Sequence, residues 1–157
     1  VVGALLWGAV AGPAGVLGYR AANTLDAMVG HRSDRYREFG WASARLDDLL
    51  NLPVARAAAL LTVACAPVVG GSAANAARTV RRDGARHPSP NAGHVEAAFA
   101  GALGVRLGGP LTYGGLAEER PVLGGDGRPP AVEDLRRAIR LSQAVGAAAV
   151  LTCAVLR

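Results

Sequence analysis

Lysine is absent from these 157 residues, and all seventeen basic positions are arginine. Aromatic side chains amount to 4%, and methionine occurs once. Soluble cores are filled largely with bulky side chains. This chain is 51% hydrophobic with a mean hydropathy of +0.24, yet takes that content from Ala, Gly, Val and Leu. Small-residue helices that pack backbone to backbone are a membrane solution. The predicted fold class is therefore all-α: a polytopic membrane helical protein with about three apolar helices, interfacial helices and polar loops.

Other absences narrow the function. Cys65 and Cys153 sit inside apolar runs, without C-x-x-C spacing or a neighbouring His. A disulfide framework and a thiolate metal site are excluded on that spacing, and both read as small buried hydrophobes. The sequence contains no P-loop, no G-x-G-x-x-G after a strand, no H-E-x-x-H and no Ser–His–Asp signature. The net charge of +5 is spread among acids and has no aromatic platform beside it, which argues against nucleic acid. Lipid headgroups and phosphorylated small molecules remain as partners for the arginines.

Three apolar segments stand out. Val1–Gly18 carries no charge, contains Pro13 and several glycines that suggest a kink, and approaches the length of a bilayer core. It is expected to be a membrane segment rather than a secretory leader. Ala57–Ala77 is interrupted by Pro67, Gly70 and Gly71, which predicts either a kinked span or a broken helix lining a cavity. Ala138–Leu156 follows Pro129-Pro130 and Glu133-Asp134, a helix start, so one helix is expected over Pro130–Leu156. Between them, Tyr36–Leu50 reads as a helix ending at Asn51 before Pro53. Pro110–Pro130 reads as an extended loop or short hairpin. If each segment crosses once, the loops Tyr19–Arg56 and Arg78–Arg137 fall on opposite faces. They hold six and nine arginines, a weak inside bias for the second.

Two constellations could carry chemistry. In the first, Arg81, Arg82, Arg86 and His87 surround a turn at Asp83-Gly84 that Pro88 and Pro90 stiffen. Guanidinium forks suit phosphate or carboxylate oxygens, and the same cluster could equally touch lipid headgroups. Ser89 or Asn91 is placed to cap the following helix, whose first N–H groups favour an anion. Glu96 on that helix is a candidate base, metal ligand or Arg partner, or simply an acid favoured by the helix dipole. Phe99, Leu103 and Leu107, at i, i+4 and i+8, form one apolar face. In the second constellation, Arg20, Asn23, Thr24 and Asp26 within YRAANTLDAMVGH follow the first apolar segment, and Asp47 and Asp48 lie further on. Neighbours on a helix do not face one site together, so the adjacent pair is not a dyad. Asp26 with either of them could hold Mg²⁺; a cap and a surface pair with Arg45 account for the same spacing.

The two motifs YRAANTLDAMVGHR…SARLDDLLNL and RDGARHPSPNAGHVEAAFAGALGVRLGG, in that order, resemble the CobD/CbiB family of cobalamin-biosynthesis membrane proteins. The resemblance implies a multi-pass protein of the inner or plasma membrane with adenosylcobinamide-phosphate synthase activity. That reaction is an amide ligation, with ATP and Mg²⁺, of the corrinoid adenosylcobyric acid to aminopropanol or its phosphate. It also implies that residues 1–157 form one membrane-embedded region, the C-terminal half of a longer protein, which need not be active alone. Partners expected from the resemblance are the N-terminal half, the bilayer, corrin-pathway enzymes and further copies of the chain. On that expectation Arg20, Asn23, Arg82, Arg86, His87, Ser89 and Asn91 bind substrate or phosphate. Asp26, Asp47 and Asp48 hold the metal, and Glu96 with Asp26 is catalytic. A non-catalytic scaffold for corrin-pathway enzymes, and a sensing or transport-like relative, are the alternatives.

Overall fold

The computed structural model describes residues 1–30, 39–113 and 116–155. The expected helix start at Tyr36, the side chain of Phe39, His31, Gly114 and Leu156 lie outside the described residues. The elements are α1 (Val2–Val29), α2 (Phe39–Cys65), a 3-10 turn (Ala66–Val69), α3 (Ala73–Asp83), α4 (Ala92–Leu103), β1 (Leu107–Tyr113), β2 (Leu116–Leu123) and α5 (Val132–Val155). Three helices are long and apolar enough to cross a membrane: Val2–Val29, Gly40–Val69 and Val132–Val155. The protein is a polytopic helical membrane protein with one small hairpin sheet. It divides into two compact units, Val1–Val54 with Ala148–Arg157, and Ala55–Ala147.

In the first unit, α1 continues eleven residues past Gly18, where the apolar run ends, so Tyr19–Val29 is helix and not loop. It is kinked at Ala11 and Gly12, and Gly12 takes φ +61°. Pro13 lacks an N–H and collides with the preceding turn, and a glycine can adopt the left-handed angle that relieves it. Trp7 Nε1 donates to the Leu50 carbonyl (3.2 Å), and the Tyr19 hydroxyl donates to Asn51 Oδ1 (2.9 Å).

Helix α2 does not stop at Asn51. It runs through Asn51 and Pro53 to Cys65. An internal proline costs one ladder bond; Pro53 is exposed, and the apolar run Ala57–Cys65 carries the helix on. The break expected within Ala57–Ala77 falls at the 3-10 turn, where Pro67 stands in the first turn and Gly70 takes φ +70°. The middle span therefore lies earlier than its apolar stretch suggested, over Gly40–Val69. Beyond it, the Ser72 hydroxyl accepts the Asn75 N–H (3.2 Å) and caps α3, an independent helix.

The second unit is built on alanine. Ala66, Ala76, Ala97, Ala98 and Ala100 are fully buried. A Cβ on Gly101 would lie 2.7 Å from Ala76 Cα, so α3 and α4 meet backbone to backbone as an antiparallel helical pair. Asn75 Nδ2 ties them further by donating to the Gly101 carbonyl (2.8 Å). Helix α4 ends at Leu103 because Gly104 takes φ +69°, a left-handed cap. Leu107 is thus not on the helix with Phe99 and Leu103 but opens β1. The hairpin expected after Pro110 starts three residues earlier, and β1 pairs antiparallel with β2. Its base is closed by Arg106 N–H to the Arg128 carbonyl (2.9 Å).

Arg137 on α5 fastens the open end of the α3–α4 pair. Its guanidinium donates to the Val69 carbonyl (3.1 and 3.2 Å), the Leu103 carbonyl (3.0 Å) and Asp134 Oδ1 (2.9 Å). Asp134 is buried and also accepts both Nη groups of Arg128 (2.6 and 2.8 Å) and the Ala131 N–H (2.9 Å). Both cysteines are free thiols, half-buried where full burial was expected.

Candidate functional site

The far end of the α3–α4 pair is held from α2, thirteen residues or ~20 Å of helical rise before Val69 in the 3-10 turn. There Arg56 Nη1 donates to the Pro90 carbonyl (2.9 Å) and to Asn91 Oδ1 (3.1 Å). This end carries the basic cluster. Its centre is Asp83, in the last turn of α3, whose side chain is 1% exposed. The carboxylate accepts Arg82 Nε and Nη2 (both 3.0 Å) and the Gly124 N–H (2.8 Å), and forms an ion pair with Arg86 Nη1 (3.1 Å). Burial alone would push this carboxyl up. The Arg82 and Gly124 hydrogen bonds and the charges of Arg82 and Arg86 outweigh it and hold the group below its ordinary value.

The two arginines differ in what they have left to offer. Arg82 spends all three nitrogens on carboxylates, because Nη1 donates to Asp126. Those bonds to Asp83 and Asp126 raise its pKa further. Arg86 stands 57% exposed beside Asp83 and keeps the freer guanidinium for an incoming anion.

His87, Glu96 and Arg120 form the adjoining cluster. His87 Nδ1 accepts the Ser89 N–H (3.0 Å), and Nε2 lies 4.0 Å from Glu96 Oε1 and 3.4 Å from Arg120 Nη1. The capping expected of Ser89 or Asn91 goes to Ser89. Its hydroxyl accepts the N–H groups of Asn91 (3.3 Å) and Ala92 (3.2 Å), while Asn91 makes no side-chain cap bond. His94, one turn into α4, lies against Gly84, where a Cβ would come within 3.2 Å of the ring. Burial and the Arg56 charge depress its pKa, against a smaller upward pull from the Pro90 carbonyl. That carbonyl is near enough to act electrostatically, yet His94 Nδ1 has no partner in good hydrogen-bonding geometry.

The second constellation lies in the first unit. Asp47 Oδ1 accepts Asn23 Nδ2 (3.3 Å), and Oδ2 accepts Asn51 Nδ2 (2.9 Å). Arg20 is exposed on α1, and its carbonyl accepts the Thr24 hydroxyl (2.8 Å). Arg45 stacks over Trp41, 5.7 Å from the ring centre. Asp26 ends α1, its carbonyl accepting the Gly30 N–H (2.8 Å), and Asp48 is half-buried on α2. Among the described residues no three of His, Cys, Asp and Glu converge on a metal-sized site. Both Asp47 oxygens accept amide N–H groups, and two carboxylates are the donor count Mg²⁺ takes when substrate phosphate oxygens complete its shell.

Sequence reasoning missed Asp83, Arg56, Arg120, Asp126 and His94. Asp83 looked like a turn residue, although an acid next to Arg82 and three before Arg86 is itself a pairing signal. Arg56 stood out as the one charge ahead of an apolar run. Arg120 and Asp126 come from the β-hairpin region, and nothing local announces that they return to His87 and Arg82.

A sequence model of the family described as CobD/Cbib protein matches residues 1–142. "Cobalamin biosynthesis protein CobD" of Mycobacterium tuberculosis (strain ATCC 25618 / H37Rv) is 62% identical over 152 residues, covering 97% of this chain and 48% of the relative. The protein of the same name from Pelobacter propionicus is 47% identical over 161 residues, covering 100% of this chain and 50% of the relative. That of Rhodobacter capsulatus is 50% identical over 141 residues, covering 90% and 44%. The chain spans about half the length of these curated relatives. No solved structure matches.

Proposed function

Because the chain belongs to the CobD/CbiB family of cobalamin biosynthesis proteins, we propose that it serves the adenosylcobinamide-phosphate synthase step. In that step the carboxylate of adenosylcobyric acid is joined to the amine of aminopropanol or its phosphate. The chain works there as part of a multi-pass plasma-membrane protein, together with the N-terminal half found in its relatives. The observation that carries the reading is the pairing of this family with a preorganised cluster of Arg86, His87, Glu96 and Arg120.

Amide formation needs an activated carboxyl, charge neutralisation and removal of a proton from the ammonium nucleophile. Activation is assigned to ATP with Mg²⁺, which Asp26 with Asp47 or Asp48 would hold alongside substrate phosphate oxygens. Arg86, fixed at one nitrogen by Asp83, presents the rest of its fork to phosphate or carboxylate oxygens. Arg82 tunes and braces this arrangement instead of meeting substrate. Glu96, 48% exposed, takes the proton from the ammonium. The amine lone pair then attacks the activated carbonyl carbon, the bond to the activating oxygen breaks with its electron pair on that oxygen, and the second N–H proton leaves with it to give the amide.

The test is complementation of a cobalamin auxotroph blocked at this step. The chain is expressed alone and with the N-terminal half of the 62%-identical mycobacterial relative. Rescue by the pair, lost in Arg86→Ala and in Asp26→Ala while membrane expression persists, supports the synthase. No rescue, combined with altered flux in a strain that already makes the amide, would identify a scaffold instead.

A further inference from the structure

We infer that a groove between α2 and α3 seats one anionic phospholipid, its phosphate at Arg56 and Arg81 and an acyl chain over Leu60, Val63, Ala77 and Val80. Arg56 is the only charged residue between Asp48 and Cys65, and it falls inside the span Gly40–Val69. A cation placed so costs free energy unless an anion or bonded acceptors accompany it. Its partners within the fold are neutral, since Nη1 donates to the Pro90 carbonyl and to Asn91 Oδ1. Arg81, exposed in the last turn of α3, makes no hydrogen bond among the described residues. No ion pair of those residues includes either arginine. Two guanidinium charges are left for an anion from outside.

Both arginines line one groove of about 290 Å³, together with Leu60 and Val63 of α2 and Ala77 and Val80 of α3, and no acidic side chain lines it. The charges gather at one end. Arg56 precedes Leu60 by one helical turn and Val63 by two, and Arg81 follows Ala77 by one turn. From the 3-10 turn the chain returns along α3 towards the Pro90–Asn91 turn that Arg56 holds. Two cations at one end and aliphatic walls beyond them are the outline of an amphiphile with a negative head. Arginine forks meet phosphate oxygens wherever these come from, so a soluble phosphate shares the headgroup chemistry. The walls favour the lipid. Leu60 is 70% exposed on a helix that crosses the bilayer, where hydrocarbon is the surrounding medium. A free phosphate would leave that apolar surface uncovered, whereas an acyl chain buries it at about 0.8 kcal/mol per methylene. The seat stands whether or not the protein is a synthase.

The test counts the lipids that the full 157-residue chain retains. Protein is released from phosphatidylcholine bilayers with graded phosphatidylglycerol into a mild uncharged detergent and weighed by native mass spectrometry. One phosphatidylglycerol per chain, held in preference to phosphatidylcholine, is expected. Arg81→Gln breaks no bond of the fold and should weaken retention about fivefold, the worth of one cation at an anionic headgroup. Arg56→Gln should weaken it at least as much. Ala77→Phe fills the groove, leaves both arginines in place, and should displace the lipid. Arg78→Gln, an exposed neighbour outside the groove, should change nothing. Equal retention of both lipids, or a phosphatidylglycerol count indifferent to Arg81→Gln, would overturn the headgroup seat. Retention that survives Ala77→Phe, or that sodium chloride alone abolishes, would reduce the site to surface attraction and overturn the groove. Loss of the lipid to inorganic phosphate or aminopropanol phosphate, but not to sodium chloride of equal ionic strength, would give the arginines to a soluble anion and overturn the proposal.

Discussion

The N–H of Gly124 donates to the buried Asp83 carboxylate across 2.8 Å, joining the end of β2 to the last turn of α3. One side chain thereby fixes two arginines and a loop from a different part of the chain. Asp83→Asn keeps the shape and removes the charge. It should destabilise the second unit by about 1–3 kcal/mol, read as a lower midpoint of denaturant unfolding in micelles. The same group sets an acid limb. Because its folded pKa lies below the ordinary carboxylate value, its contribution is complete above about pH 4 and is lost as pH falls below that. Unfolding midpoints measured between pH 3 and pH 6 should slope in the wild type and flatten in Asp83→Asn.

His94 predicts a second, separate slope. Its pKa is depressed by burial and by Arg56. The unfolded chain therefore takes up the proton first, and stability falls as pH drops below about 6.5. His94→Gln should remove the change between pH 7.5 and pH 5.5. Arg56→Gln should leave the histidine less depressed and shrink the same change, even though it lowers stability overall by releasing Pro90 and Asn91. An unaltered slope in both variants would assign the acid sensitivity elsewhere.

Gly101 is where the helical pair comes closest. An alanine there would put its Cβ 2.7 Å from Ala76 Cα and 2.7 Å from Thr79 Oγ1. Backbone cannot yield as a flexible side chain does, so Gly101→Ala should cost about 1–3 kcal/mol. Gly18→Ala, which meets nothing within 4 Å, serves as the neutral control. Thermal melts followed by circular dichroism would compare the two.

Much of this architecture was legible. The three apolar stretches announced three spans, and the small-residue composition announced close backbone packing, without placing it at Gly101. Pro13 announced a kink, whereas the Phe99, Leu103 and Leu107 spacing ran past Gly104, where the left-handed cap ends the helix. Boundaries were less legible because local rules met tertiary context. Pro53 looked like a stop, but a helix already carried by an apolar face tolerates one missing donor. At the site, the RRDGARHPSPN run was visible, whereas its division of labour was not. Which arginine is spent on a carboxylate depends on Asp126 and Gly124, more than forty residues away in sequence.

Arg137 offers a prediction of the same kind. Arg137→Met retains the stem but removes every donor to the Val69 and Leu103 carbonyls and one partner of buried Asp134. A loss of about 2–4 kcal/mol is expected. Faster hydrogen exchange should appear at both the 3-10 turn and the end of α4, since one side chain serves the two. Protection lost at only one of them would show that the two ends are held independently.

That double grip also has a meaning in time. A ribosome delivers this chain from the N-terminus, so the 3-10 turn and α4 emerge long before α5 does. Until Arg137 arrives, the carbonyls of Val69 and Leu103 lack the donor that the finished protein gives them. The docking of α5 is therefore a closing latch on biogenesis: a nascent chain arrested before it holds the helical pair open at one end, exposed to chaperones and proteases.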